Sequence, residues 1–274
     1  LVITTLTTNG SQPSIGGFFL ALGYTDSQRR NVMEYPKINS LWKRYGANLG
    51  INDRQKIIEQ YGNLPLVPGL YSEKEFPLVE AWDVEEKIDG TSIRITLKEI
   101  NKRYFVSFEG RSKDSILPSH VHDYLTELFT PERLLKGLKN TKIQVRGGRV
   151  KQVRIIFYGE LFGYKIQGDY YDIKETSFIL FDVYAYTLFS SREEVRSIAR
   201  AMGIKSAPSL GMMTEHQIIN YVKSNPQSEI NPEKIMEGVV CRGEAWETQE
   251  DGMRLFRGIK KFKLRCEDMK RIAF

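Results

Sequence analysis

The stretch Trp82-Asp83-Val84-Glu85-Glu86-Lys87-Ile88-Asp89-Gly90-Thr91-Ser92-Ile93-Arg94-Ile95-Thr96-Leu97 decides how this chain is read. Apolar and polar residues alternate through much of it, and Asp89-Gly90 interrupts the alternation, which predicts two strands meeting at a tight turn. Lys87 sits just before that turn. A lysine amine attacks an electrophile only when unprotonated, and a free lysine titrates near pH ~10.4. Burial and neighbouring positive charge would lower that value. A glycine beside it leaves room for a phosphate, because no Cβ stands in the way. Lys87 is therefore a candidate nucleophile; the bland reading is a surface lysine before an Asp-Gly turn.

Upstream, residues 1–32 differ in character from the rest of the chain. Val2 to Thr8 is β-branched and strand-like, Asn9-Gly10 is a turn signal, and the segment reads as an extension or the end of another module. Residues 33–274 read as one continuous domain without repeats or low-complexity linkers. Asn52 to Gln60 predicts a helix with Asn52 as its cap and Gly62 as its stop. Tyr104 to Phe108 predicts a strand leading into Gly110-Arg111-Ser112, and His120 to Leu128 and Glu132 to Leu138 predict helices. Ile155 to Tyr158 and Phe178 to Phe181 are apolar runs of buried-strand type. Ser190-x-x-Glu193 suggests a capping box for a helix ending at Gly203, and Thr214 caps another running to about Ser224. Gly238 to Cys241 and Arg257 to Arg265 close the chain as strands. Strands and helices do not alternate regularly, so the expected class is α+β with largely antiparallel sheets.

Composition sets bounds. The chain has 274 residues, 41% hydrophobic and 27% charged, which excludes general disorder. A net charge of +6 favours a polyanionic partner. Cys241 and Cys266 show no CxxC spacing and imply no disulfide framework, so a cytoplasmic or other reducing intracellular compartment is expected. The apolar run Ile15 to Tyr24 is about half a membrane span, so no membrane association is expected. The chain begins at Leu1 rather than Met, and no targeting signal is read from that end. His120, His122 and His216 lack zinc-site spacing, and no G-x-x-x-x-G-K-[ST] loop is present.

The four residues Lys87-Ile88-Asp89-Gly90 have downstream companions. Gly110-Arg111, Phe157-Tyr158-Gly159-Glu160, Phe181-Asp182-Val183, Met236-Glu237-Gly238-Val239-Val240 and Lys261-Phe262-Lys263-Leu264-Arg265 come after them in that order. Lys261, Lys263 and Arg265 alternate at period two, so all three project from one strand face as a basic comb. Such a comb could hold a phosphate, or could be no more than a solvated edge strand. Together these strings resemble the motifs of the covalent nucleotidyltransferase superfamily, and more narrowly its RNA ligase 2 type family with phage-like members. Tyr35-Pro36-Lys37-Ile38-Asn39-Ser40-Leu41 resembles that family's opening, and Glu160 to Gln167 its segment after the central glutamate. The resemblance covers residues 33–274.

The resemblance implies a nucleotidyltransferase (ATP-grasp-like ligase) fold of twisted antiparallel sheets flanked by helices. It implies an ATP-dependent RNA ligase that forms lysyl-AMP on Lys87, passes AMP to an RNA 5′-phosphate and seals it to a 3′-hydroxyl, using Mg2+ or Mn2+, as in RNA repair. In that pattern Lys263 and Arg265 are the final basic pair, arginine departing from lysine there; a one-step shift makes the pair Lys261 and Lys263. Glu86, Ile88, Arg111, Glu160, Phe181, Val240 and Lys263 would meet the nucleotide, Glu86 through its backbone and Phe181 by stacking on adenine. Glu160 would also meet the ribose hydroxyls. Glu237 and Glu160, each expected beside a glycine at a strand end, would serve the metal. Ser92, Arg111 and Arg242 would meet RNA, although Ser92 stands where the family commonly has asparagine. Nine residues follow Arg265, too few for a C-terminal OB domain, and residues 1–32 look too short for a nicotinamide-binding region, so RNA and ATP are expected over DNA and NAD. A DNA ligase and a catalytically silent nucleic-acid-binding module are the alternatives.

Overall fold

The computed structural model describes residues 6–7, 34–46, 49–61, 64–112, 115–139, 141, 154–166, 170–185 and 188–272. The boundary expected near residue 32, the turn Asn9-Gly10, the run Ile15 to Tyr24, Gly62 and Gln167 lie outside these residues. In chain order the strands are β1 Leu6–Thr7, β2 Asn39–Ser40, β3 Trp42–Arg44, β4 Leu66–Tyr71, β5 Trp82–Glu86, β6 Thr91–Ile100 and β7 Arg103–Glu109. They continue as β8 Arg154–Gly163, β9 Thr176–Ala185, β10 Leu188–Phe189, β11 Lys205–Ser206, β12 Ser209–Met213, β13 Gly238–Thr248 and β14 Arg254–Arg265. The helices are α1 Ile51–Tyr61, α2 Ser119–Leu128, α3 Pro131–Leu138, α4 Arg192–Met202, α5 Glu215–Lys223 and α6 Cys266–Met269. The class is α+β, as expected.

The chain divides into two compact units: Leu1–Tyr35 with Asp89–Ser206, and Pro36–Ile88 with Ala207–Phe274. In the first, a seven-stranded sheet runs β1-β7-β6-β8-β9-β10, with β11 parallel to β9. Alternation sends Ile93, Ile95 and Leu97 of β6, with Ile155, Phe157, Leu180 and Val183, to one face. There Val121 and Leu125 of α2, Leu134 and Leu138 of α3, and Val195 and Ile198 of α4 close the core. The other face includes polar cross-strand partners: Arg94 opposite Glu109 and Tyr158, and Tyr158 opposite Asp182.

In the second unit a five-stranded sheet runs β12-β5-β13-β14-β2, with β3 and β4 forming a separate pair. Trp82 and Val84 of β5, Val239 and Cys241 of β13, and Phe262 and Leu264 of β14 are buried against Ile218 and Val222 of α5. The rings of Trp82 and Phe262 meet at 4.6 Å and 75°.

Three local expectations are corrected. The strands flanking Lys87 do not pair with each other: β5 and β6 belong to different sheets, so the Asp89-Gly90 segment carries the chain between sheets. Periodicity reports a strand's faces but not its partners. The cap of α4 is Ser191, accepting from the Glu194 N–H at 3.2 Å, while Ser190 is buried. Helix α1 starts at Ile51, so Asn52 lies inside its first turn, and the Gly50 carbonyl accepts from the Arg54 N–H at 3.1 Å. At the other helix ends the expectations agree: Gly203 ends α4 at φ 66°, and Thr214 forms a capping box with Gln217 on α5. Among the described residues no helix is long and apolar enough to cross a membrane.

Candidate active site

In the second unit, strands β5, β13 and β14 lie side by side, and their register sorts the side chains. Glu85 pairs with Val240, which pairs with Lys263; Asp83 pairs with Arg242, which pairs with Lys261. One face therefore carries Asp83, Glu85, Val240, Arg242, Lys261, Lys263 and Arg265, opposite the face holding Trp82, Val84, Phe262 and Leu264. The basic comb expected on β14 is present, since Phe262 and Leu264 are fully buried and the three cationic residues between and beside them are not. The acidic residues Asp83 and Glu85 on the same face were not among the expected site residues. Their signal was the alternation with Trp82 and Val84.

Lys87 follows β5 directly. Its N–H donates to the Gly238 carbonyl at 2.8 Å, which extends the β5–β13 ladder to the start of β13. Its Nζ donates to Glu237 Oε2 in a close ion pair and approaches the Ile88 carbonyl at 3.3 Å. Arg265 Nε reaches Glu237 Oε1 at 3.0 Å, an ion pair without a directed hydrogen bond. Lys87 and Glu237 are 18% and 15% exposed, so the pair is shielded yet reachable. One carboxylate thus joins the candidate nucleophile to the end of the comb. Gly238 allows the close crossing: at φ 155° its Cβ would fall 2.2 Å from the Leu264 carbonyl oxygen.

Glu86, next to Lys87, faces the other way and is 2% exposed. Its carboxylate accepts from the Ser228 hydroxyl and from the Glu229 N–H at 2.9 Å, and its own N–H goes to the Pro208 carbonyl at 3.0 Å. Burial pushes its pKa up, against the two hydrogen bonds that favour the charged form. Ser228 was not expected from sequence and carried no motif there.

The first unit holds the remaining candidates. The Asp89 N–H donates to the hydroxyl of buried Tyr171 at 3.0 Å. A Cβ on Gly90 would lie 2.3 Å from the Leu161 carbonyl oxygen, so only glycine lets this segment lie on β8. Ser92 pairs with Glu160 across β6 and β8. Glu160 lies within β8 rather than at a strand end, a correction. Gly159 beside it lets the chain run on past Phe178, whose Cζ would be 2.0 Å from an added Cβ. The β8–β9 register shifts at this point: Tyr158 pairs with Asp182 and Gly159 with Leu180, which leaves Phe181 as the bulged residue. Its ring is half-buried, outside the helix-packed core, and meets Tyr35 edge-on at 5.1 Å. The Tyr35 hydroxyl donates to Asp182 at 2.9 Å, and Arg192 donates to the Phe181 carbonyl at 2.5 Å. Arg111 is exposed just past β7.

The structure therefore brings Lys87, Glu237 and Arg265 into contact and places Val240, Arg242, Lys261 and Lys263 on one sheet face. Ser92 and Glu160 are paired within the first unit, which also contains Arg111 and Phe181. The proposed metal carboxylates Glu160 and Glu237 belong to different units, and no group of three or more His, Cys, Asp or Glu suited to a metal forms among the described residues.

A family model described as RNA ligase matches residues 80–257, well over half of the chain. The chain belongs to the RNA ligase family. The matched stretch includes Lys87, Arg111, Glu160, Phe181, Glu237 and Arg242, and ends before Lys261, Lys263 and Arg265. Among solved structures, this RNA ligase family member is similar to a Naegleria gruberi RNA ligase with PPi: 18% identity, TM-score 0.46, covering 84% of this chain and 61% of that one. A mutant of that ligase with AMP and Mn gives 17% identity and a TM-score of 0.45, covering 85% and 57%. Another mutant with ATP and Mn gives 16% and 0.46, covering 86% and 59%. The chain spans less than two thirds of the length of these proteins. Curated protein sequences give no match.

Proposed function

We propose that this member of the RNA ligase family is an ATP-dependent RNA ligase that works through a lysyl-AMP intermediate on Lys87, its catalytic region being residues 33–274. The observation that carries the reading is the Lys87–Glu237–Arg265 contact at the end of the basic strand face. In the first step Lys87 Nζ, having lost a proton, bonds to the α-phosphorus of ATP while the bond to pyrophosphate breaks. An RNA 5′-phosphate oxygen then takes the AMP from Lys87. A 3′-hydroxyl finally attacks that 5′-phosphorus and AMP leaves. Barriers to phosphoryl transfer are met mainly by positioning and charge neutralisation. Lys261, Lys263 and Arg265 supply positive charge, and Glu237 fixes the amine. Phe181 stacks on adenine and Glu160 takes the ribose hydroxyls. Ile88, Val240, Arg111 and the Glu86 backbone complete the nucleotide contacts, while Ser92, Arg111 and Arg242 serve the RNA.

Both Glu237 oxygens face cations, Lys87 and Arg265, so Glu237 would exchange one of them to hold Mg2+ or Mn2+, and Glu160 is the other carboxylate proposed for the metal. These ions prefer hard oxygen ligands and keep several waters and phosphate oxygens rather than filling an all-protein cage. When bound there, the cation would neutralise charge on the phosphates. Buried Cys241 and Cys266, which are thiols rather than a disulfide, support a reducing compartment.

The test is incubation with α-labelled ATP and Mg2+ or Mn2+. Wild type retains label on the protein and Lys87→Ala retains none; a wild type that takes up no label overturns the reading and leaves a catalytically silent nucleic-acid-binding module. Nicked RNA and nicked DNA substrates in parallel separate RNA sealing from DNA sealing.

A further inference from the structure

The alternation that turns Lys87 toward the basic face turns Glu86 toward the core side, where it meets a loop far away in sequence. That loop, residues 226–236, closes on itself: the Met236 N–H donates to the Pro226 carbonyl at 2.9 Å, and Gln227 bridges Ile235. Ser228 lies inside it, 2% exposed, its N–H bonded to the Lys234 carbonyl at 2.9 Å. The Ser228 oxygen accepts from the Ile230 N–H at 3.0 Å and the Asn231 N–H at 3.4 Å, so its proton is left to point at Glu86 Oε1. Glu86 Oε2 takes the Glu229 N–H. The loop ends at Met236, buried in the core, and the next residue is Glu237, the partner of Lys87.

We infer that Ser228 and Glu86 form a latch: Ser228 is a positioning residue that, through the Glu86 carboxylate, seats the 226–236 loop and thereby sets Glu237 against Lys87. A carboxylate suits the position because both groups facing it are donors. A glutamine could satisfy only one, since its NH2 would meet the other donor head-on. Neighbours at the end of β5 then have divided tasks, Lys87 reacting and Glu86 holding in place the carboxylate that orients it. The inference rests on the reading of Lys87 as the adenylated residue for its catalytic consequence, but not for the latch itself.

The experiment compares wild type with Ser228→Ala and Glu86→Gln, and measures amide hydrogen exchange across the protein together with the rate of lysyl-AMP formation at varied ATP. The latch predicts that exchange in 227–237 accelerates about tenfold in Glu86→Gln, the order expected for losing one buried hydrogen bond, and at least as much in Ser228→Ala, which also removes the acceptor of the Ile230 and Asn231 N–H groups. It also predicts a fall of similar size in the rate at saturating ATP with little change in the ATP KM. Unchanged exchange in 227–237 for Ser228→Ala overturns the latch. Faster exchange with an unchanged saturating rate overturns its catalytic role and reduces Ser228 to a stabilising residue. If wild type forms no adduct, the adenylation reading fails on its own and the exchange comparison still decides the latch.

Discussion

The two units, each taken by itself, carry opposite kinds of surface. On the side of Lys87, paired strands place charge next to charge: one carboxylate meets an ammonium and a guanidinium, and two further lysines share the strand face. On the side of Gly90, the contacts are backbone against backbone and ring against ring, with Gly90 on Leu161 and Phe181 on Tyr35. Charge at the first is suited to a phosphate; an aromatic face beside a bulge at the second is suited to a base. The boundary falls between Ile88 and Asp89, inside the motif that names the candidate nucleophile.

That contrast can be broken by kinetics. Glu237→Ala removes the carboxylate from two cations and should lower the rate of lysyl-AMP formation about 100-fold or more at saturating ATP, as loss of a key electrostatic contact does. A fall of only a few-fold, read from single-turnover labelling, would deny the charged side its role. Phe181→Ala should show the complementary signature, an ATP KM raised about tenfold with the saturating rate nearly kept, because stacking on a base contributes about 1–3 kcal/mol and binds ground and transition states alike. If Phe181→Ala instead lowers the saturating rate and leaves KM alone, the division between the two sides is wrong.

Much of the charged side was legible in sequence because period two is a local property: Trp82 and Val84 announce which way Glu85 and Lys87 point, and Phe262 and Leu264 do so for Lys263 and Arg265. The ring side was reached only through the family resemblance, which named Phe181, and not through any local pattern. Phe181 leaves the helix-packed core because the register between β8 and β9 shifts beside Gly159, and register depends on both strands at once. Ser228 was silent for a similar reason, since its partner Glu86 is 142 positions away and its own surroundings look like any polar turn. The pairing of β5 with β13, rather than with β6, likewise depends on tertiary contacts that no local pattern encodes.

Two smaller effects sharpen the comparison. Tyr171→Phe leaves the Asp89 N–H without its acceptor and should cost about 1–2 kcal/mol, visible as a lower melting temperature with lysyl-AMP formation retained. On the charged side, burial pushes the Cys266 thiol up to about 11. The folded protein then binds that proton more tightly than the unfolded chain does, so this contribution to stability is full below the ordinary thiol range and is lost as pH rises toward about 11. Melting temperature should fall across that alkaline interval, and Cys266→Ala should make the fall shallower; an unchanged slope would show that the thiol titrates alike in the folded and unfolded states.

The opposed directions of Glu86 and Lys87 also limit how this chain can change length. Removing or adding one residue within β5 would exchange the sides of every side chain beyond the lesion, sending the amine into the core and the latch carboxylate onto the basic face. Two-residue changes keep the sides but slide Lys87 along β13, away from Gly238. Added length is instead expected to be tolerated in connections such as the β13–β14 turn near Asp251-Gly252, where an added Cβ at Gly252 meets nothing within 4 Å.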